Sequence, residues 1–170
     1  MKLADVPKGK QPRPRAILIY GQEGVGKSSI ASEAPRPIFI ATEDGLADID
    51  CHAFPVAKSF PAVIEALKTL FLEEHDYQTL VLDTLSNLER LIWEAVTDKR
   101  GVDSIDEIGY AKGYSFAVPY WRQVVQALDD LRNQKQMTIL LLAHAQVEKF
   151  DDPESESYDR FSPRLHKKAA

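Results

Sequence analysis

The chain has 170 residues, enough for one domain with a real core and too few for two. Its composition, 44% hydrophobic and 28% charged, is that of an ordinary soluble globular protein, and no run approaches the roughly 20 apolar residues a membrane helix needs, so no membrane partner is expected. The net charge of −5 argues against a uniformly basic nucleic-acid binder, and the single cysteine, Cys51, excludes an internal disulfide and suits a reducing cytoplasm.

Residues 1–15 hold five Lys/Arg against one acid, together with Pro7, Pro12 and Pro14, and are expected to form a basic tail ahead of a core spanning 16–170. "AILIY" (16–20) is a short apolar run ended by glycine and predicts a buried strand. "KSSIASEA" (27–34) predicts a short helix stopped by Pro35 and Pro37. "IFIAT" (38–42) is a second buried strand, and the spacing of Phe60, Val63, Ile64, Leu67, Leu70 and Phe71 predicts an amphipathic helix over 60–75. "TLVLD" (79–83) is a third strand, followed by a helix marked by Leu85, Leu88, Ile92 and Val96. Residues 98–115 are polar and glycine-spotted and read as a long loop. Pro119 suits the first turn of a helix that buries Trp121, Val124, Val125, Leu128 and Leu131. "TILLLA" (138–143) is the fourth strand, and 147–163 reads as a polar loop.

Buried strands alternating with helices imply a three-layer α/β fold around a parallel sheet, with ligands at the carboxyl ends of the strands. Four strand ends therefore carry the argument. The first is Gly21, Gln22, Glu23, Gly24, Val25, Gly26, Lys27, Ser28, Ser29, a G-x-x-x-x-G-K-S phosphate loop between a strand and a helix. Its glycines let backbone N–H groups approach phosphate oxygens; Lys27 is placed to reach the terminal phosphates and the Ser28 hydroxyl to hold Mg²⁺. The third strand closes on Asp83, a second Mg²⁺ ligand through water. The second strand ends in Glu43 and Asp44, where a carboxylate can deprotonate a water, although "EDG" also serves as a turn or helix cap. The fourth ends in "AHAQ": Gln146 is the candidate γ-phosphate sensor, and His144 reads as a hydrogen-bonded core histidine.

In the order "YGQEGVGKSS", "PIFIATEDG", "HDYQTLVLDTL", "YAKGY", "ILLLAHAQ" and "RLHKKAA", the chain resembles RecA-like P-loop ATPase cores, and more closely those of phage and prophage implicated in single-strand annealing. The resemblance implies ATP and Mg²⁺ as ligands, Glu43 as catalytic glutamate with Lys27 beside it, and Gln146 as sensor. It also implies self-association into a ring or filament and single-stranded DNA as partner. DNA loops are then expected at 98–115 and 147–163, where Lys112, Lys149, Arg160 and Arg164 would meet phosphates and Tyr110, Tyr114 and Phe150 would stack on bases. The acids of "DDPESESYD" oppose that reading, and ordinary packing is the alternative for the aromatics. Relative to the family, late strands are lacking, so "AILIY" is expected at a sheet edge. A truncated carboxyl end, a neighbouring subunit or the N-terminal tail would account for this. Two other activities stay open: a small-molecule phosphotransferase (kinase), and a nucleotide-binding switch that does not hydrolyse.

Overall fold

A computed structural model describes residues 8–10, 12–109, 112–152 and 156–166, with the backbone alone for Lys112. Among the described residues six strands and four helices follow one another: β1 (Ala16–Gly21), α1 (Lys27–Ser32), β2 (Pro37–Ala41), β3 (His52–Ala53), α2 (Phe60–Leu72), β4 (Thr79–Asp83), α3 (Leu85–Arg100), a 3₁₀ turn (Ile105–Ile108), α4 (Lys112–Gln134), β5 (Thr138–Phe150) and β6 (Tyr158–Pro163). The order β1-β5-β4-β2-β3 is parallel throughout, and β6 pairs antiparallel with the outer half of β5.

Strand alternation distributes the apolar residues over both faces. Ile38, Ile40, Leu80, Leu82 and Ile139 pack with α2, α3 and α4 in the larger core, and Phe39, Val81, Leu140 and Leu142 pack with Ala31 of α1 on the other face. This is the expected three-layer α/β arrangement. The α2 start is capped by Ser59 and that of α3 by Thr84, whose hydroxyl accepts from Asn87 N–H at 3.3 Å. Gly101, at φ 65°, ends α3 behind Lys99 and Arg100.

Several expectations need correction. β1 does lie at the sheet edge, but it is not buried: Ile17, Leu18 and Tyr20 are 40%, 43% and 44% exposed. The loop expected over 98–115 shrinks, because α3 continues to Arg100 and α4 already begins at Lys112. Pro119 accordingly lies inside α4 rather than in its first turn. Burial of Gly113 and Ala117 carries the apolar stripe of Val124, Leu128 and Leu131 upstream of the proline, so tertiary packing outweighs the lost backbone bond. Val125 faces solvent.

The polar loop expected over 147–163 is in large part a hairpin. β5 runs on to Phe150, and β6 returns with Glu148 opposite Arg160 and Lys149 opposite Asp159. Opposite charges facing across the ladder let so polar a segment form strands. Among the described residues no helix is long and apolar enough to cross a membrane.

Candidate nucleotide site

At the carboxyl ends of β1, β2 and β4, and beside the middle of β5, lies a cavity of about 400 Å³, lined by the phosphate loop together with Glu43, Asp44, Asp83, Thr84 and His144. Gly24 (φ 74°) and Gly26 (φ 93°) hold the left-handed backbone that closes the loop onto α1. A Cβ at Gly21 would stand 3.0 Å from Val25 Cγ1, so a larger residue here would require the Val25 side chain to give way. Glu23, Gly24, Gly26, Lys27, Ser28 and Ser29 line the cavity, whereas the Val25 side chain projects into solvent. The Lys27 ammonium is folded back, donating to the carbonyls of Gln22 (2.8 Å) and Gly21 (3.2 Å). A cation parked on two carbonyls of its own loop is ready to exchange them for phosphate oxygens.

Across the floor, Ser28 Oγ donates to Asp83 Oδ2 at 2.6 Å. Asp83 is 7% exposed, and burial pushes its carboxyl above the usual range; the Ser28 hydrogen bond pulls it back, neighbouring Glu43 pushes it up, and Lys27 and His144 oppose. Two hard oxygen donors meet here, one of them a buried carboxylate whose charge is poorly solvated. That donor set fits Mg²⁺, which takes one or two protein oxygens and completes its octahedron with water and phosphate. Among the described residues no cluster of three or more His, Cys, Asp or Glu could form an all-protein metal cage, so a cation here would share its shell with the ligand.

A hydrogen-bonded corner fixes the wall facing the phosphate loop. The Thr42 hydroxyl donates to the carbonyl of Thr84 (3.0 Å) and accepts from Thr84 N–H (3.0 Å), and the Thr42 carbonyl accepts from the Asn87 amide. The Asp83–Thr84 peptide within this corner is cis. Together these bonds tie the end of β2 to the start of α3 and aim the next residue, Glu43, over the cavity. Glu43 Oε1 accepts from the Thr84 hydroxyl at 3.2 Å and lies 2.9 Å from His144 Nε2.

Glu43, Lys27, Ser28 and Asp83 are thus brought together. Gln146 is not: β5 carries it past the cavity into a separate groove of about 440 Å³ with Glu89, Trp93 and Arg164, where its amide donates to Glu148 at 2.9 Å. The side chain that β5 does deliver to the site is His144, whose backbone stands opposite Gly21. The hint in the sequence was its place directly after the apolar run, one residue beyond Ala143.

The expected DNA residues divide. Lys149, Arg160 and Arg164 are exposed on or beside the β5–β6 hairpin, and the Arg160 guanidinium lies 4.2 Å from the centre of the Phe150 ring. Tyr114 is half-buried; one face of its ring is stacked on His166 at 3.7 Å, and Trp93 meets it edge to face, so that face is already occupied. The Lys112 side chain and Tyr110 lie outside the described residues. Sequence reasoning passed over Val147, Tyr158 and Phe161, exposed apolar residues on the same hairpin.

A family model described as an AAA domain matches residues 13–170. No curated protein matches the chain.

Proposed function

The chain belongs to the AAA-domain family of P-loop nucleotide-binding proteins, and on that premise we propose that it is an Mg²⁺-dependent ATPase that acts on single-stranded DNA, as the recombination and annealing ATPases of RecA type do. The observation that carries the catalytic part is the convergence of Ser28, Asp83 and Glu43 on one cavity, with Ser28 and Asp83 2.6 Å apart at its floor. The loop amides and Lys27 bind the phosphate chain. Ser28 and Asp83 would hold the cation, which when bound would neutralise charge developing on the phosphate oxygens.

Glu43 takes a proton from the attacking water. The water oxygen forms the new bond to Pγ, the bond from Pγ to the bridging oxygen breaks, and that oxygen keeps the electron pair as ADP departs. A carboxylate held by neighbouring donors beside the phosphate loop supports hydrolysis over a non-hydrolysing switch. A kinase would need a cation-rich lid. The segment between α3 and α4 offers little room for one, and Arg100 is engaged over the Phe116 ring at 3.5 Å.

The nucleic-acid part rests on the hairpin, where Lys149, Arg160 and Arg164 accompany exposed Tyr158 and Phe161. Cations beside aromatic faces suit a single strand, whose phosphates and unpaired bases are both accessible. Self-association into a ring or filament belongs to the same proposal, supported by the RecA-type resemblance. ATP turnover measured with and without single-stranded DNA at low salt tests it. Stimulation that declines as salt rises is expected. Turnover with neither stimulation nor DNA binding overturns the nucleic-acid assignment, and absence of turnover overturns the ATPase.

A further inference from the structure

Both described contacts to the Glu43 carboxylate fall on a single oxygen. Oε1 accepts the Thr84 hydroxyl and faces His144 Nε2, while among the described residues Oε2 makes no hydrogen bond. A carboxylate can only accept, so the contact requires the proton of His144 to sit on Nε2. The histidine is itself held firmly. Its backbone N–H donates to Ser86 Oγ at 3.0 Å, and its backbone carbonyl accepts from Arg164 N–H at 2.8 Å. It stands where β5 exchanges its parallel partner β1 for its antiparallel partner β6, so three neighbouring segments fix its backbone. Its side chain is 14% exposed against 36% for Glu43: the more buried and better anchored group of the pair is the histidine.

We infer that His144 is a positioning residue for the general base, fixing Glu43 through Oε1 so that Oε2 is presented to the water. The arrangement follows a general logic in which a base acts well only when a third group holds it in one orientation. A carboxylate at the rim of an open cavity otherwise samples several rotamers, and each unproductive one lowers the population of reactive geometry. His144 makes no claim on the phosphates in this role. It acts through Glu43 alone, and the inference rests on the reading of Glu43 as base.

The test compares His144→Ala, His144→Gln, Glu43→Gln and the double variant Glu43→Gln/His144→Ala in the full chain, with melting temperatures recorded for each. His144→Ala should lower kcat by about 10–100-fold and leave KM and the affinities for ATP and ADP unchanged. Glutamine keeps an N–H donor of similar reach, so His144→Gln should recover most of the rate. The double variant should be no slower than Glu43→Gln alone, because the histidine has no other route to the chemistry. Additive losses, an unchanged rate in His144→Ala, or a loss of ATP affinity with ADP affinity kept would each overturn the inference, the last by moving His144 onto the γ-phosphate. Wild-type turnover that Glu43→Gln leaves intact would instead remove the reading of Glu43, and this inference with it.

Discussion

Replacing Glu43 by glutamine removes one proton acceptor and little else. The glutamine carbonyl can still accept from the Thr84 hydroxyl and from His144 Nε2, the two contacts now made by Oε1 at 3.2 Å and 2.9 Å, so the side chain stays where it is. Nothing in the phosphate loop, Lys27 or the Ser28–Asp83 pair is touched. The effect should therefore appear in kcat and not in binding. General-base catalysis contributes about 10²–10⁴-fold, and at about 1.36 kcal/mol per factor of ten that is roughly 2.7–5.4 kcal/mol on the barrier. The assay is phosphate release at saturating Mg²⁺-ATP, paired with equilibrium binding of ATP and a thermal melt. Expected are a rate lower by at least about 10², unchanged or slightly tighter ATP binding because a negative charge facing the polyphosphate is gone, and an unchanged melt. A rate within threefold of wild type would refute the assignment. If Asp44→Asn carried the loss instead, the neighbouring carboxylate would be the base.

Asp83→Asn should leave the ligand-free protein at least as stable, since it removes a buried charge whose pKa burial has raised, while the melting-temperature gain on adding Mg²⁺-ATP should largely vanish; differential scanning fluorimetry with and without ligand reads both. Glu89 is buried on α3, its carboxylate accepting from His166 N–H at 2.9 Å, and burial likewise raises its pKa, with the backbone bond opposing. A carboxyl whose folded pKa is raised contributes its full stability below the unfolded pKa and loses it as pH rises through the folded one. The advantage of Glu89→Gln over wild type in denaturant melts should therefore be absent in strong acid and grow toward neutrality; a constant difference across pH would contradict this. Gly113→Ala would place a Cβ 2.3 Å from the Ile105 carbonyl oxygen, so it should cost about 1–3 kcal/mol, seen as a drop of roughly 2–4 °C in melting temperature per kcal/mol for a chain of this size.

The parts of the site legible in the sequence are those whose meaning lies in consecutive residues. The phosphate loop declares itself within nine positions, and Asp83 ends an apolar run that had to be a buried strand. Glu43 was visible as a strand end, but its two partners were not. His144 is 101 residues away in the chain and meets Glu43 only because β5 lies in register with β1 and β4. The same register sets Gln146, the expected sensor, away from the cavity: a strand continuing past His144 carries it into another groove. The hairpin was hidden because its charges look like those of a loop until Glu148 and Arg160, or Lys149 and Asp159, are set opposite each other. The start of α4 was hidden by Pro119, whose local signal is strong, whereas the burial of Gly113 and Ala117 upstream is a tertiary fact.

The thirteen-residue β5 belongs to two sheets at once: its inner half is clamped between β1 and β4, and its outer half carries β6. At about 3.3 Å per residue, the span from His144 to Phe150 is an arm of roughly 20 Å. A tilt of about 10° at its root would sweep its far end through roughly 3.5 Å on that arm. The mechanical advantage runs both ways. By the same geometry, a displacement of about 3.5 Å at the tip corresponds to a rotation of about 10° at His144.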